Sequence, residues 1–168
     1  MVFENKFNEI DKAVTQWMAA SGIKLLRISI GVIFIWYGAL KYFPDLSPAQ
    51  ELATRTIEIM SFGLLPEMAI LIILATWEVL IGIGLLFNLY LRVTLLLLYV
   101  QMIGTFMPLF LFPDEVFTVF PYGLTLEGQY IIKNLIIVSA GIVIGATVRG
   151  GRLKSSENLQ EVDPIKLR

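Results

Sequence analysis

The feature that most constrains this chain is a set of four apolar stretches, each 20 to 23 residues long. They cover residues 22–43, 67–87, 90–112 and 130–149. An α-helix rises about 1.5 Å per residue, so roughly 20 apolar residues cross the ~30 Å hydrocarbon layer of a bilayer. A soluble bundle would need a polar face on each helix, and the third stretch has none. The sequence therefore predicts an all-α fold, a membrane four-helix bundle in the lipid bilayer.

The amino-acid composition limits the kinds of functional site that this chain can form. Hydrophobic residues make up 57% of the chain and charged residues 16%. Cysteine and histidine are both absent, which excludes disulfides, thiolate chemistry, His-ligated haem and Cys or His zinc sites. We expect no metal site, and any redox role must use an organic cofactor, a lipid-soluble carrier or a partner subunit. The net charge of −1 and the absence of a basic patch give no indication of nucleic acid binding.

Lysine and arginine are unevenly distributed among the loops. Ten of them lie on the side that carries both termini and three on the other side. By the positive-inside rule, we expect both termini to be cytoplasmic and the protein to lie in the inner (cytoplasmic) membrane. Residues 1–151 are predicted to form a single four-span domain, followed by a polar cytoplasmic tail at 152–168.

Two further helices are predicted outside the spans. The segment "FENKFNEIDKAVTQWM" repeats apolar residues every three or four positions, which indicates an amphipathic helix lying in the cytoplasmic interface. A helix packed on a partner protein is the alternative. The segment "SPAQELATRTIEIM" begins with Ser47 as N-cap and Pro48 at the first helical position, which predicts a short outer helix at about 48–61, between the first two spans.

Polar residues inside the spans are the candidates for function. A charge at the bilayer centre costs roughly 2.5–3.5 kcal/mol, so such residues face a bundle interior. Helical spacing places Arg27 and Lys41 on one face of the first span, together with Phe34. The glycines that share faces with the polar residues are predicted to pack helices closely: Gly31, Gly38, Gly82, Gly141 and Gly145.

The direction in which side chains lean predicts one particular pair. Side chains lean toward the N-terminus of their own helix, so Lys41 of the first span and Glu78 of the second can meet in the outer half of the bilayer. Gln101 and Asn134 are predicted hydrogen-bonding neighbours. The alternative is that the ion pair only fixes helix register. For "GIVIG" at 141–145 the alternatives are internal packing and dimerisation, and for Trp36 and Tyr37 a pocket wall and an interfacial belt.

Three segments resemble the DoxX-like superfamily of small four-span membrane proteins. They are "LLRISIGVIFIWYGALKYFP", "WEVLIGIGLLF" and "EGQYIIKNLIIVSAGIVIG". The shared features are the basic residue that opens the first span, its G-x-x-K ending, the glutamate of the second span, and a Lys-[Asp/Asn] pair opening the fourth. This last pair is Lys133 and Asn134 here, where a branch of unknown function usually has Asp after the lysine.

What the resemblance implies for activity is varied. One branch supplies a membrane subunit of thiosulfate:quinone oxidoreductase, other members are linked to oxidant resistance or redox complexes, and a eukaryotic relative is a chaperone for a receptor channel. We therefore expect a redox-associated protein that binds a quinone-like molecule through Glu78, Lys41 and Gln101, with Trp36 or Phe34 against the ring. Asn134, Lys133 and Arg27 are further ligand-binding candidates. The alternatives are a non-catalytic assembly subunit and a small transporter, and a redox partner subunit or a homo-oligomer is a candidate partner.

Overall fold

The computed structural model of the protein describes residues 2–43, 46–47, 50–151 and 153. Within these ranges, four helices are long and apolar enough to cross a bilayer, which confirms the predicted all-α, four-span fold. The candidate spans are Lys6–Leu40, Glu67–Phe87, Leu91–Leu111 and Leu126–Ala146.

The elements follow one another along the chain with short connections. In order they are α1 (Val2–Leu40), α2 (Gln50–Met60), α3 (Glu67–Phe87), α4 (Leu91–Phe106), α5 (Pro108–Leu111), α6 (Pro113–Val116), β1 (Phe117–Val119), β2 (Gly123–Leu124), α7 (Leu126–Lys133) and α8 (Leu135–Ala146). The short outer helix predicted at 48–61 is α2, although residues 48 and 49 lie outside the described residues. The predicted polar tail at 152–168 also lies outside them, apart from Leu153.

The first helix differs from its predicted form. The amphipathic segment is helical, but it continues directly into the first span as one helix of 39 residues rather than forming a separate interfacial element. The connecting stretch "MAASGIK" contains no proline, and the single Gly22 does not by itself end a helix. At 1.5 Å per residue α1 is about 58 Å long, so much of its N-terminal half extends beyond the hydrocarbon layer.

Two of the spans contain a break. The third is interrupted between α4 and α5 at Pro108, which has no backbone N–H and whose ring clashes with the preceding turn. The fourth is interrupted between α7 and α8 at Asn134. The Asn134 side-chain amide donates to the carbonyl of Tyr130 at 3.0 Å. Its backbone N–H bonds to the carbonyl of Ile131 at 3.1 Å, so the turn tightens locally.

The four spans form a closed ring. α1 packs on α3, α3 on α4, α4 on α8, and α8 on α1. Each contact joins antiparallel neighbours because consecutive spans run in opposite directions. The core of the ring is apolar and is made by Ile30, Ile81, Leu85, Leu98 and Ile144, all of which are buried.

The two ends of the bundle differ. We call the end where α1 finishes the hairpin end, because it carries α2 and an antiparallel hairpin in which Phe117 pairs with Leu124. A small apolar cluster of Leu52, Val116 and Ile131 joins α2 to the hairpin end of the spans. We call the opposite end, where α8 finishes, the terminal end.

Candidate functional site

A cavity of about 640 Å³ lies in the hairpin-end half of the bundle. It is bounded by α1, α3, α4 and α7, and α2 covers it on the hairpin side. Most of its wall is apolar. The wall residues used below are Phe34, Tyr37, Trp77, Thr105, Tyr130 and Asn134, together with the polar group described next. The cavity therefore combines a volume typical of small-molecule sites with an apolar surface.

Three side chains meet in this cavity, one from the residue that follows α1 and one each from α3 and α4. The Lys41 ammonium donates to Glu78 Oε2 at 2.6 Å, and the Gln101 amide nitrogen donates to Glu78 Oε1 at 2.9 Å. The Lys41 and Glu78 side chains are each only 12% exposed. Both carboxylate oxygens are therefore hydrogen-bonded, as a charge at this depth requires. We call Lys41, Glu78 and Gln101 the polar triad.

The G-x-x-K ending of the first span explains how the triad forms. At Gly38 a side chain would place a Cβ 2.9 Å from Glu78 Cβ and 3.0 Å from Val79 N, so only glycine lets α1 lie this close to α3. Lys41 follows three residues later, about one helical turn further along the same face. Its backbone N–H bonds to the Gly38 carbonyl at 3.2 Å, and its side chain reaches the carboxylate. The glycine positions the carboxylate and the lysine neutralises it.

The triad keeps hydrogen-bonding capacity toward the cavity. The ammonium has three N–H donors, of which one bonds to Glu78 and one lies 3.5 Å from the Tyr37 carbonyl. The side-chain oxygen of Gln101 accepts no hydrogen bond from any residue that the structure describes. By contrast, the Thr105 hydroxyl is satisfied by the Gln101 carbonyl of its own helix, at 3.0 Å. The triad can thus offer a ligand both a donor and an acceptor.

The DoxX family matches residues 22–112, more than half of the chain and the part that contains the whole triad. The chain belongs to the DoxX family. With its four candidate spans it is a multi-pass membrane protein. No curated protein and no solved structure was found to match it.

Not every candidate residue of this DoxX family member reaches the cavity. Phe34 is buried in its wall, and Asn134 lines it but bonds within its own helix. Lys133 lies outside the wall, 5.3 Å above the ring of Tyr130. Trp36 also lies outside it, with 64% of its surface exposed on the outside of the bundle.

Arg27 lies toward the terminal end, where its side chain connects two helices rather than lining the cavity. Its guanidinium donates to the carbonyl of Leu85 and, at 3.3 Å, to that of Leu86. These carbonyls belong to the last turn of α3, where the regular helical N–H donors end, although the Leu85 carbonyl also accepts from the backbone N–H of Asn88 at 3.4 Å. Arg27 therefore joins α1 to the end of α3 and takes no part in the cavity.

The glycines lie where helices of the same chain meet. A Cβ at Gly82 would lie 2.7 Å from Ile35 N, and a Cβ at Gly31 would lie 3.0 Å from the Gly82 carbonyl, so α1 and α3 are in backbone contact there. Gly141 and Gly145 face the ring and hydroxyl of Tyr99 on α4. The "GIVIG" glycines thus contact a neighbouring helix inside the bundle.

Sequence reasoning missed two aromatic walls of the cavity. Trp77 precedes Glu78 in the chain, and its indole N–H donates to the Leu97 carbonyl at 3.2 Å, which holds the ring between α3 and α4. Tyr130 lines the opposite wall on α7. In the sequence, the position of Trp77 next to Glu78 was the feature that could have indicated its place in the cavity wall. No comparable signal marked Tyr130, since its helix was predicted to begin there.

Proposed function

We propose that this DoxX family member is redox-associated and binds a quinone-like lipophilic molecule, with the polar head of the ligand on the triad. The observation that carries the proposal is the polar triad inside a mostly apolar intramembrane cavity of about 640 Å³. A buried ion pair is costly in lipid, and a cavity beside it leaves the pair accessible to a ligand that enters from the bilayer.

The residues of the cavity fit a quinone. A quinone has a flat apolar ring, two carbonyl oxygens that only accept hydrogen bonds, and an apolar tail. Lys41 and Gln101 supply N–H donors for a carbonyl oxygen, and Glu78 supplies an acceptor for a hydroxyl of the reduced form. Phe34 and Trp77 supply aromatic wall for the ring. When bound, a quinone would supply reversible two-electron, two-proton redox chemistry.

The electron donor in this proposal is external. The chain has no cysteine or histidine, so it offers no thiol and no imidazole ligand for a metal centre. Within the described residues there is also no group of three or more acidic side chains that could hold a metal ion. We therefore propose a partner redox subunit as the source of electrons. The triad would hold the quinone head and exchange protons with it.

The proposed placement is the inner membrane, with both termini in the cytoplasm and residues 1–151 as one domain. Ten lysines and arginines would then be cytoplasmic and three would lie on the outer side, in accordance with the positive-inside rule. The cavity would open in the outer half of the bilayer, because the hairpin end is opposite the termini.

A second candidate function is a non-catalytic assembly or stabilising subunit. The observation that favours it is the exposed N-terminal half of α1, a helix longer than one bilayer crossing requires, which carries Phe7, Ile10 and Trp17 at 70%, 64% and 59% exposure. An apolar stripe of this kind on a projecting helix suits contact with a partner protein. In this case the triad would only hold α1, α3 and α4 together.

Mass spectrometry of copurifying lipids distinguishes the two functions. Wild type, Glu78→Gln and the control Glu67→Gln would be purified in mild detergent, and their lipophilic extracts compared. Glu67 lies on the same helix but is exposed in its first turn, outside the cavity. We expect a quinone with wild type and Glu67→Gln and its loss from Glu78→Gln, with the variant still folded by circular dichroism. Ordinary phospholipids in all three samples would refute quinone binding and favour the subunit function.

A further inference from the structure

A second concavity lies at the terminal end, between α4 and α8, and shares no wall residue with the quinone cavity. It is a surface groove of about 510 Å³. Its wall is apolar along the helices, where Leu95, Leu96 and Val148 line it, and basic at its end, where Arg92 and Arg149 line it. We call it the arginine groove.

Among the described residues, the two arginines of the groove have no anionic partner. Both are exposed, and in the part of the chain that the structure describes neither forms a salt bridge or a side-chain hydrogen bond. The described residues that line the groove include no aspartate or glutamate. Arg92 is the second residue of α4 and Arg149 lies just after the end of α8, so opposite ends of two helix dipoles meet here and the positive field comes from the two guanidinium groups. The end of the groove is therefore electropositive, and both guanidinium groups have N–H donors free for a ligand.

The depth of the polar groups matches an amphiphile that enters from the bilayer. Arg92 and Arg149 lie at the ends of their spans, at the level of lipid headgroups, and the apolar wall leads from them toward the bilayer centre. Tyr99 lies deeper on α4, but its side chain leans back toward the helix N-terminus. Its hydroxyl is 4.0 Å from the Cβ position of Gly145, about one turn below Arg149. It forms no hydrogen bond with any described residue.

We propose that the arginine groove is a binding site for an anionic phospholipid. The phosphate lies between the guanidinium groups of Arg92 and Arg149, which donate paired N–H bonds to phosphate oxygens. The Tyr99 hydroxyl donates to an ester carbonyl, and an acyl chain lies along Leu95 and Leu96. Basic pockets between spanning helices recognise anionic headgroups in this way. The inference is independent of the quinone proposal.

Native mass spectrometry with defined lipids tests the site. The delipidated full chain would be titrated with phosphatidylglycerol and with phosphatidylcholine of the same acyl chains. Each arginine near a headgroup contributes about a fivefold gain in affinity, so Arg92→Gln/Arg149→Gln is expected to bind phosphatidylglycerol about 30-fold more weakly. Because neither arginine bonds to the rest of the described structure, the melting temperature of this variant should remain that of wild type.

The control variant is Lys12→Gln/Lys24→Gln, which removes two exposed cations of α1 that do not line the groove. We expect it to bind phosphatidylglycerol like wild type. Equal binding of phosphatidylcholine by wild type, or undiminished binding by the arginine variant, would overturn the proposal. Inorganic phosphate that displaces the lipid at equal concentration would assign the site to a free anion and overturn the lipid. Failure of these tests would leave the quinone result unaffected.

Discussion

The contact between α1 and α3 makes a quantitative prediction for Gly82→Ala. The added Cβ would lie 2.6 Å from Ile35 Cγ1, 2.7 Å from Ile35 N and 2.8 Å from the Gly31 carbonyl oxygen. Carbon atoms in good contact are about 3.5–4.0 Å apart, so the helices must separate by about 1 Å. Two of the three obstructing atoms are backbone, and a rotamer change cannot relieve them.

The magnitude follows from two opposing contributions. Overpacking of this kind costs about 1–3 kcal/mol, and a gap of 0.5–1 Å along the rest of the interface loses a quarter to a half of each contact energy. Replacing glycine by alanine inside a helix recovers about 0.5–1 kcal/mol. We therefore expect Gly82→Ala to lower the free energy of unfolding by about 1–2 kcal/mol. Gly22→Ala, where no heavy atom lies within 4 Å of the Cβ position, should instead raise it by up to about 1 kcal/mol.

The assay is reversible unfolding in a single detergent, followed by circular dichroism, with both alanine variants measured beside wild type. Gly145→Ala gives an intermediate point, because its Cβ would meet two side-chain atoms at ordinary contact distances, Leu95 Cδ1 at 3.4 Å and the Tyr99 hydroxyl at 4.0 Å. The expected order of stability is Gly22→Ala, Gly145→Ala, Gly82→Ala. If Gly82→Ala proved as stable as Gly22→Ala, the backbone contact between α1 and α3 would not exist in the protein.

Three further predictions concern ionic contacts, all measured by the same unfolding assay. Lys41→Met leaves the Glu78 carboxylate without its cation and should lower the free energy of unfolding by about 3 kcal/mol. The double variant Lys41→Met/Glu78→Gln should recover part of this loss, and equal stability of the two variants would contradict the pairing. Arg27→Met removes the side-chain donor to the last carbonyls of α3 and should lower the free energy of unfolding by about 1–3 kcal/mol. An unchanged stability would mean that water donates to these carbonyls equally well. Arg55→Ala breaks a pair with Glu115 whose side chains are 43% and 44% exposed, so we expect a loss below about 1 kcal/mol that declines at high salt; a large, salt-independent loss would contradict this assignment.

The spans and the triad were accessible from sequence for physical reasons. Apolar length is the dominant requirement of a bilayer, so four stretches of about 20 residues predict four spans. Helical periodicity fixes which residues share a face, and the lean of side chains fixes the depth at which Lys41 and Glu78 meet. The spacing of Gly38 and Lys41 contained the essential geometry of the site.

Other features were not accessible because sequence patterns do not distinguish the competing environments. In a membrane protein the lipid-facing and interior faces of a helix are both apolar, so the exposure of Trp36 could not be read from its position. The amide of Asn134 bonds to its own helix, and periodicity could not predict this local competition. The continuity of α1 depends on the stretch "MAASGIK", whose residues are compatible with a helix but do not strongly favour one.

The length of α1 gives the bundle a mechanical property. For a tilt of α1 about its close contact with α3 at Gly31, Lys41 lies about 15 Å beyond that point on one side, past the second close contact at Gly38, and Phe7 lies about 36 Å away on the other. A tilt of about 5° that moves the Phe7 end by about 3 Å would move the Lys41 end by about 1.3 Å. Such a displacement is enough to break the 2.6 Å contact between Lys41 and Glu78. A tilt imposed on the N-terminal half of α1 would therefore change the distance between Lys41 and Glu78 in the cavity.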